Sequence, residues 1–383
     1  MDLIYFDNAA TSFPKAPKVA EAMYNYISGE GLNINRSGYK SMYSIENTVY
    51  ETREFIAEFF NFPVEKAENV VFTKNITESL NVIIKGLLKP GDHVIVSSME
   101  HNSIMRPLQS LTKNNITISR IPCTNRGELI TDKLASLVQP NTKAVIITAA
   151  SNVCGTIFPL HIIGDFCEKH NLFFILDSAQ LAGFSKLDMK ALKLHALAFT
   201  GHKGLLGPQG IGGFLINNNL SKLIEPLIEG GTGSLSELEV QPDYMPDKFE
   251  AGTPNIAGIL GLNASINYLK EIGLEYIRDK ELYLTSLFIE KIKNMPKAKL
   301  VGIDNIENRT STVSVDFSSL DNGEIAYLLH RDYNISTRCG LHCAPNAHKV
   351  LGTFPQGTVR FSFGHANTKE EVIKAIDAIN KIV

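Results

Sequence analysis

Two short stretches hold the residue types that covalent chemistry on a small molecule requires. Leu172-Phe173-Phe174-Ile175-Leu176 reads as an apolar strand, and Asp177 ends it at the carboxyl edge, where open α/β sheets place ligands. By itself Asp177 reads as a cap on the segment that follows. Thr200-Gly201-His202-Lys203-Gly204 comes after a second apolar stretch, Ala196 to Phe199, and leads into a glycine-rich turn ending at Gly213. A single loop lysine is ordinarily a solvated surface group. A lysine at a strand end beside an aspartate instead fits pyridoxal phosphate, which needs an amine for its Schiff base and a carboxylate against its pyridinium nitrogen.

A third stretch, Thr73-Lys74-Asn75-Ile76-Thr77-Glu78-Ser79, leaves a strand and opens a helix with Thr77 as its expected N-cap. Free backbone N–H groups and the positive dipole end suit a phosphate there. A fourth, Ser336-Thr337-Arg338-Cys339-Gly340-Leu341-His342-Cys343-Ala344-Pro345, has two cysteines and a histidine, with His348 close behind. The cysteine spacing lacks the paired C-x₂-C of most zinc sites, and no second pair exists, so no metal is expected. A nucleophilic Cys343, activated by cationic Arg338 and His342, fits better. Cys339 reads equally well as a packed thiol beside a strand over 335–338.

These residues need a frame. Val70 to Phe72, His93 to Val96, Ile116 to Ile121, Ala144 to Thr148 and Leu172 to Leu176 are short and apolar throughout, as strands covered on both faces are. Helical patterns alternate with them over Thr77 to Leu88, Ser103 to Leu111, Thr131 to Val138 and Leu160 to His170, which implies βαβ units and a mostly parallel sheet. Residues 229–255 hold Gly, Pro and acidic residues without periodicity, a loop long enough to be functional. Helices over Ile256 to Ile272 and Leu274 to Met295, strands near Thr312 to Val315 and Thr358 to Phe363, and a closing helix over Thr368 to Val383 complete the pattern. The expected architecture is α/β, with a large domain over 15–255 and a small α+β domain over 256–383 together with 1–14.

The 383 residues are 44% hydrophobic and 20% charged, with a net charge of -3, so neither nucleic acid nor an anionic membrane is an expected partner. No apolar run approaches the ~20 residues of a membrane span. Five cysteines do not form a disulfide framework, and a reducing cytoplasm is expected.

The motifs follow one another in a familiar order: Tyr5-Phe6-Asp7-Asn8-Ala9-Ala10-Thr11, Met99-Glu100-His101-Asn102, Ser151-Asn152-Val153-Cys154-Gly155-Thr156, Asp177-Ser178-Ala179-Gln180, Gly201-His202-Lys203, Phe249 to Asn255, Arg338 to Ala344, and Val359-Arg360-Phe361-Ser362. Any one is weak; in this order and spacing, nearly end to end, the chain resembles the cysteine desulfurase family of the class V aminotransferase fold, on its SufS-like and selenocysteine-lyase-like branch. The resemblance implies a fold-type-I pyridoxal 5'-phosphate enzyme acting on L-cysteine or L-selenocysteine, a homodimer, and a sulfur-acceptor protein.

It also implies roles. Lys203 is the Schiff-base lysine, which then takes the Cα proton, and Asp177 is the pyridinium partner. Gln180 bonds the ring hydroxyl, His101 stacks on the ring, and Asn152 lies near ring and substrate. Arg360 clamps the substrate carboxylate, with Arg338 beside it. Thr77, Thr200, His202 and the backbone of Ile76 hold the phosphate, and Thr253 reaches the neighbouring subunit's phosphate. Cys343 carries the persulfide. Three positions depart from the pattern: Ile76 replaces a second Thr, Asn35 stands before Arg36 where relatives have His, and Cys339 replaces Thr. The expected reaction removes sulfur from L-cysteine and leaves L-alanine. Its rivals are a selenocysteine lyase or other lyase on this scaffold, and a non-catalytic interaction protein.

Overall fold

The computed structural model describes residues 2–29, 31, 40–317 and 320–383; Asn35 and Arg36 lie outside them. Thirteen strands are described: β1 (Ile4–Tyr5), β2 (Val70–Thr73), β3 (His93–Ser97), β4 (Thr117–Ile121), β5 (Thr142–Thr148), β6 (Phe173–Asp177), β7 (Ala196–Thr200), β8 (Gly212–Ile216), β9 (Lys299–Val301), β10 (Thr312–Asp316), β11 (Ile335–Ser336), β12 (Arg338–Gly340) and β13 (Thr358–Ser362). The helices are α1 (Val19–Ser28), α2 (Lys40–Phe59), α3 (Ile76–Leu87), α4 (Asn102–Leu111), α5 (Leu134–Leu137), α6 (Leu160–Lys169), α7 (Asn218–Ser221), α8 (Ile256–Ile272), α9 (Leu274–Ile292), α10 (Asn322–Tyr333), α11 (Pro345–Val350) and α12 (Lys369–Ile382).

A seven-stranded sheet in the order β2-β8-β7-β6-β5-β3-β4 carries the larger part of the chain. Only β8 runs against its neighbours. Alternate residues bury into different cores, as a two-fold side-chain period demands. Ile95, Val145, Ile147, Phe174, Leu176 and Leu197 face one side, with α2, α6 and α8 packed there. Val94, Val96, Ala144, Ile146, Ile175 and Ala198 face the other, under α3 and α4. Strand order reverses beside β3, so a crevice opens at the carboxyl ends of β3, β5, β6 and β7.

A second sheet, β12-β13-β10-β9, is antiparallel. One face presents Val313, Val315, Val359 and Phe361 to a core shared with α9, α10 and α12. The other face carries Arg338 opposite Arg360, and Arg360 opposite Ser314. The N-terminal segment pairs β1 with β11, then reaches the Lys203 turn.

Three expectations change. The segment over 131–138 is a 3-10 turn followed by the short α5, not one helix. The strand over 335–338 breaks at Thr337 into β11 and β12, which join different sheets. Helix α8, expected in the smaller unit, buries Ile259, Leu262, Ile266 and Leu269 in the core of the large sheet. No helix is long and apolar enough to cross a membrane among the described residues.

Candidate active site

Each strand end at the crevice delivers one group. After β3, His101 caps α4: its Nδ1 accepts from the Ser103 backbone N–H at 3.0 Å. An accepting Nδ1 carries no proton, so the neutral ring holds its proton on Nε2. Burial, then Lys203, Arg338 and Arg360, push the His101 pKa down to about 4, which keeps it neutral.

After β5, the turn over 151–155 places Asn152 between both sheets. Its Nδ2 donates to His342 O at 2.7 Å, and its own carbonyl accepts from Arg360 at 3.1 Å.

At the end of β6, Asp177 is buried. Its Oδ1 accepts from Ala179 N at 2.9 Å, so the capping role expected of a strand-end aspartate is present. Its Oδ2 accepts from Ser103 Oγ at 3.2 Å. Burial raises the Asp177 pKa despite these donors and nearby Lys203, so a further positive partner is what this carboxylate calls for. Gln180 Nε2 donates to Ala9 O at 3.1 Å.

After β7, Lys203 sits in a turn locked from outside. The His202 carbonyl accepts from Ser12 N at 2.9 Å, Lys15 Nζ at 2.8 Å and Thr11 Oγ1 at 3.1 Å. A Cβ on Gly183 would lie 2.0 Å from Gly204 O, so close backbone packing holds the turn from beneath. Burial lowers the Lys203 pKa to about 8; Asp177 opposes this, and Arg360 and Arg338 add to it. A near-neutral amine is a usable nucleophile and base.

Two polar atoms beside this turn lack hydrogen-bond partners. Thr200 Oγ1 and His202 Nδ1 are buried without partners, and burial holds His202 neutral, with a pKa of about 4. Helix α3 begins nearby, but its N-cap is Asn75, not Thr77: Asn75 Oδ1 accepts from Glu78 N at 3.0 Å. Asn75 is extended while Ile76 already has helical geometry, so the cap falls two residues earlier. Thr77 lies exposed in the first turn, and Ile76 is buried. Thr253 is exposed in a separate cleft lined by Thr73, Lys74, Glu78 and Gly252.

From the small sheet, buried Arg360 donates to Asp7 Oδ1 at 2.7 Å, and its Nε has no partner. Cys343 is exposed, and its carbonyl accepts from Asn102 N at 2.8 Å, which sets it beside His101. Two expectations fail here. His342 is buried with its pKa pushed down to about 2, so it offers Cys343 no positive charge; Arg338 and Arg360 remain. Cys339 is exposed on the edge strand β12, not packed in a core.

Ser103, Asp7 and Glu100 are partners that residue types alone did not single out. Buried Glu100 receives Thr148 N at 2.9 Å and Ser97 Oγ, tying the end of β3 to that of β5. The available signal was position: Asp7 and Glu100 lie within quoted motifs, and Ser103 directly follows one.

Residues 4–374 match the family model for aminotransferase class-V, and the chain belongs to that family. A probable cysteine desulfurase of Pyrococcus abyssi is 33% identical over 100% of this chain and 94% of its own. An apo cysteine desulfurase from Thermococcus onnurineus NA1 superposes with a TM-score of 0.92 at 33% identity, covering 100% and 94%. A cysteine desulfurase of Escherichia coli, in an S-sulfonic acid form, gives 0.87 at 28% identity, covering 99% and 94%.

Proposed function

We propose that this chain is a pyridoxal-phosphate-dependent cysteine desulfurase that converts L-cysteine to L-alanine and holds the sulfur as a persulfide on Cys343. The observation that carries the reading is convergence: the Cys343 carbonyl is bonded beside His101, Ser103 joins His101 to Asp177, and Asn152 joins His342 to Arg360.

The residues fit the cofactor. Thr200 Oγ1 and His202 Nδ1, buried and unpartnered, would hold the phosphate with the first-turn N–H groups of Ile76 and Thr77. Asp177 would face the ring nitrogen, neutral His101 the ring, and Gln180 its hydroxyl. When bound, pyridoxal phosphate supplies an electron sink for the substrate's Cα. Arg360 and Arg338, opposite each other across β12 and β13, receive the substrate carboxylate. Lys203, with its pKa near 8, anchors the cofactor and carries the Cα proton. Cys343 Sγ takes the substrate's sulfur, the S–S bond forming as the carbon–sulfur bond breaks.

The loop over 229–255 and its approach support a homodimer. Leu227, Ile228, Leu238, Val240 and Tyr244 are exposed on this one stretch of chain, as residues of an interface would be in the separate subunit. Thr253 is likewise free to reach a second subunit. A sulfur-acceptor protein would meet exposed Cys343, and the five free thiols suit a reducing cytoplasm. The two-domain division is taken to fall at Gly273, after α8.

The test compares the reconstituted protein with Lys203→Ala. The parent gains visible absorbance with pyridoxal phosphate and releases alanine from L-cysteine. Lys203→Ala folds and releases none; alanine at the parent's rate would remove the assignment.

A further inference from the structure

His342 directly precedes Cys343, and its ring ends a chain of hydroxyls whose proton order is fixed. Ser314 Oγ donates to Val153 O at 2.7 Å, and a carbonyl can only accept, so the single Ser314 proton is committed. Thr358 must therefore supply the proton in its 3.0 Å bond to Ser314 Oγ. The remaining 3.1 Å bond, between Thr358 Oγ1 and His342 Nε2, then takes its proton from the ring. His342 is thus the Nε2–H tautomer, with Nδ1 buried and unpartnered. Its strongly lowered pKa agrees with a neutral ring.

The same residue is held a second time, because its carbonyl accepts from Asn152 Nδ2 at 2.7 Å. Asn152 and Val153 are consecutive, so one turn of the large sheet grips His342 at both backbone and ring. The grip has work to do. His342 and Cys343 have φ values of 48° and 58°, in the left-handed region that residues other than glycine seldom occupy unsupported. Behind them the hairpin is drawn tight: a Cβ on Gly357 would stand 2.2 Å from Gly340 O.

We propose that His342 is a positioning residue, acting as a fixed hydrogen-bond donor to Thr358 that holds the Cys343 turn where Sγ meets the substrate's sulfur. It acts neither as a base nor as a cation. This role rests on the desulfurase reading above.

Two rates measured on the holoenzyme test it, in a Cys339→Ser background so that labelling reports Cys343. One is single-turnover persulfide formation with L-cysteine, followed by mass spectrometry. The other is alkylation of Cys343 by iodoacetamide. Thr358→Val should slow persulfide formation about tenfold or more, while alkylation stays within about threefold, because position is lost and thiol chemistry is not. His342→Ala should behave alike, whereas His342→Gln, with an amide N–H reaching toward Thr358, should keep persulfide formation within about threefold. His342→Ala set against His342→Gln carries the test if Thr358→Val does not fold. Unchanged persulfide formation in the folded variants, alkylation falling in proportion to it, or His342→Gln as slow as His342→Ala would each overturn the proposal. Absence of persulfide in the parent would instead remove the desulfurase reading itself.

Discussion

Ser103 and Asp177, 74 positions apart in the chain, are joined by a 3.2 Å hydrogen bond from the serine hydroxyl to Oδ2. The Ser103 backbone N–H donates to His101 Nδ1 at 3.0 Å. One serine in the first turn of α4 thereby links the group expected over the cofactor ring to the group expected at its nitrogen. Ser103→Ala removes a donor from a buried carboxylate, a bond worth about 1.5–3 kcal/mol when the acceptor is charged. Pyridoxal phosphate should bind roughly tenfold more weakly, as read from a titration of visible absorbance.

Asp177→Asn should cost more, because the amide carries no charge to hold a proton on the ring nitrogen. Alanine release should fall at least about a hundredfold. Near-parental rate and spectrum would return Asp177 to its capping bond with Ala179.

Asp177 and Lys203 were legible as chemistry because strand-end position and residue type coincide. The apolar runs of β3, β5, β6 and β7 were legible too, since strands buried on both faces carry no polar alternation. What the sequence could not show is three-dimensional pairing. Asn75 and Thr77 are both good caps, and only the backbone angles of Asn75 decide between them. His342 looks cationic until its burial is known. Cys339 looks packed until β12 proves to be an edge. Helix α8 looks like part of the smaller unit until its apolar face is seen against the larger core.

Arg360→Lys should raise the KM for L-cysteine about tenfold with a smaller effect on kcat. A lysine cannot keep the fork that grips Asp7 and Asn152 O while presenting a further donor to a carboxylate. Steady-state kinetics of the folded variant decide this; an unchanged KM would place the carboxylate elsewhere.

Glu281 supplies a pH signature independent of catalysis. On α9 it accepts from Ser311 Oγ at 2.7 Å, and burial lifts its pKa from 4.5 to about 8. The folded chain therefore keeps a proton that the unfolded chain releases between those values. The resulting stabilisation is complete below about pH 4.5 and is lost as pH rises through about 8. Glu281→Gln stays neutral throughout. Its Tm relative to the parent should rise by a few degrees between about pH 5 and pH 8.5. A constant difference would show that Glu281 is ionised in the folded protein.

In the proposed reaction Cys343 receives the sulfur. Mass spectrometry of the reconstituted protein after L-cysteine, with peptide mapping, tests it directly in the parent and in the separate Cys343→Ser and Cys339→Ser variants. A persulfide on Cys343 in the parent and in Cys339→Ser, with none in Cys343→Ser, is the predicted result. A persulfide that survives Cys343→Ser and disappears in Cys339→Ser would contradict it.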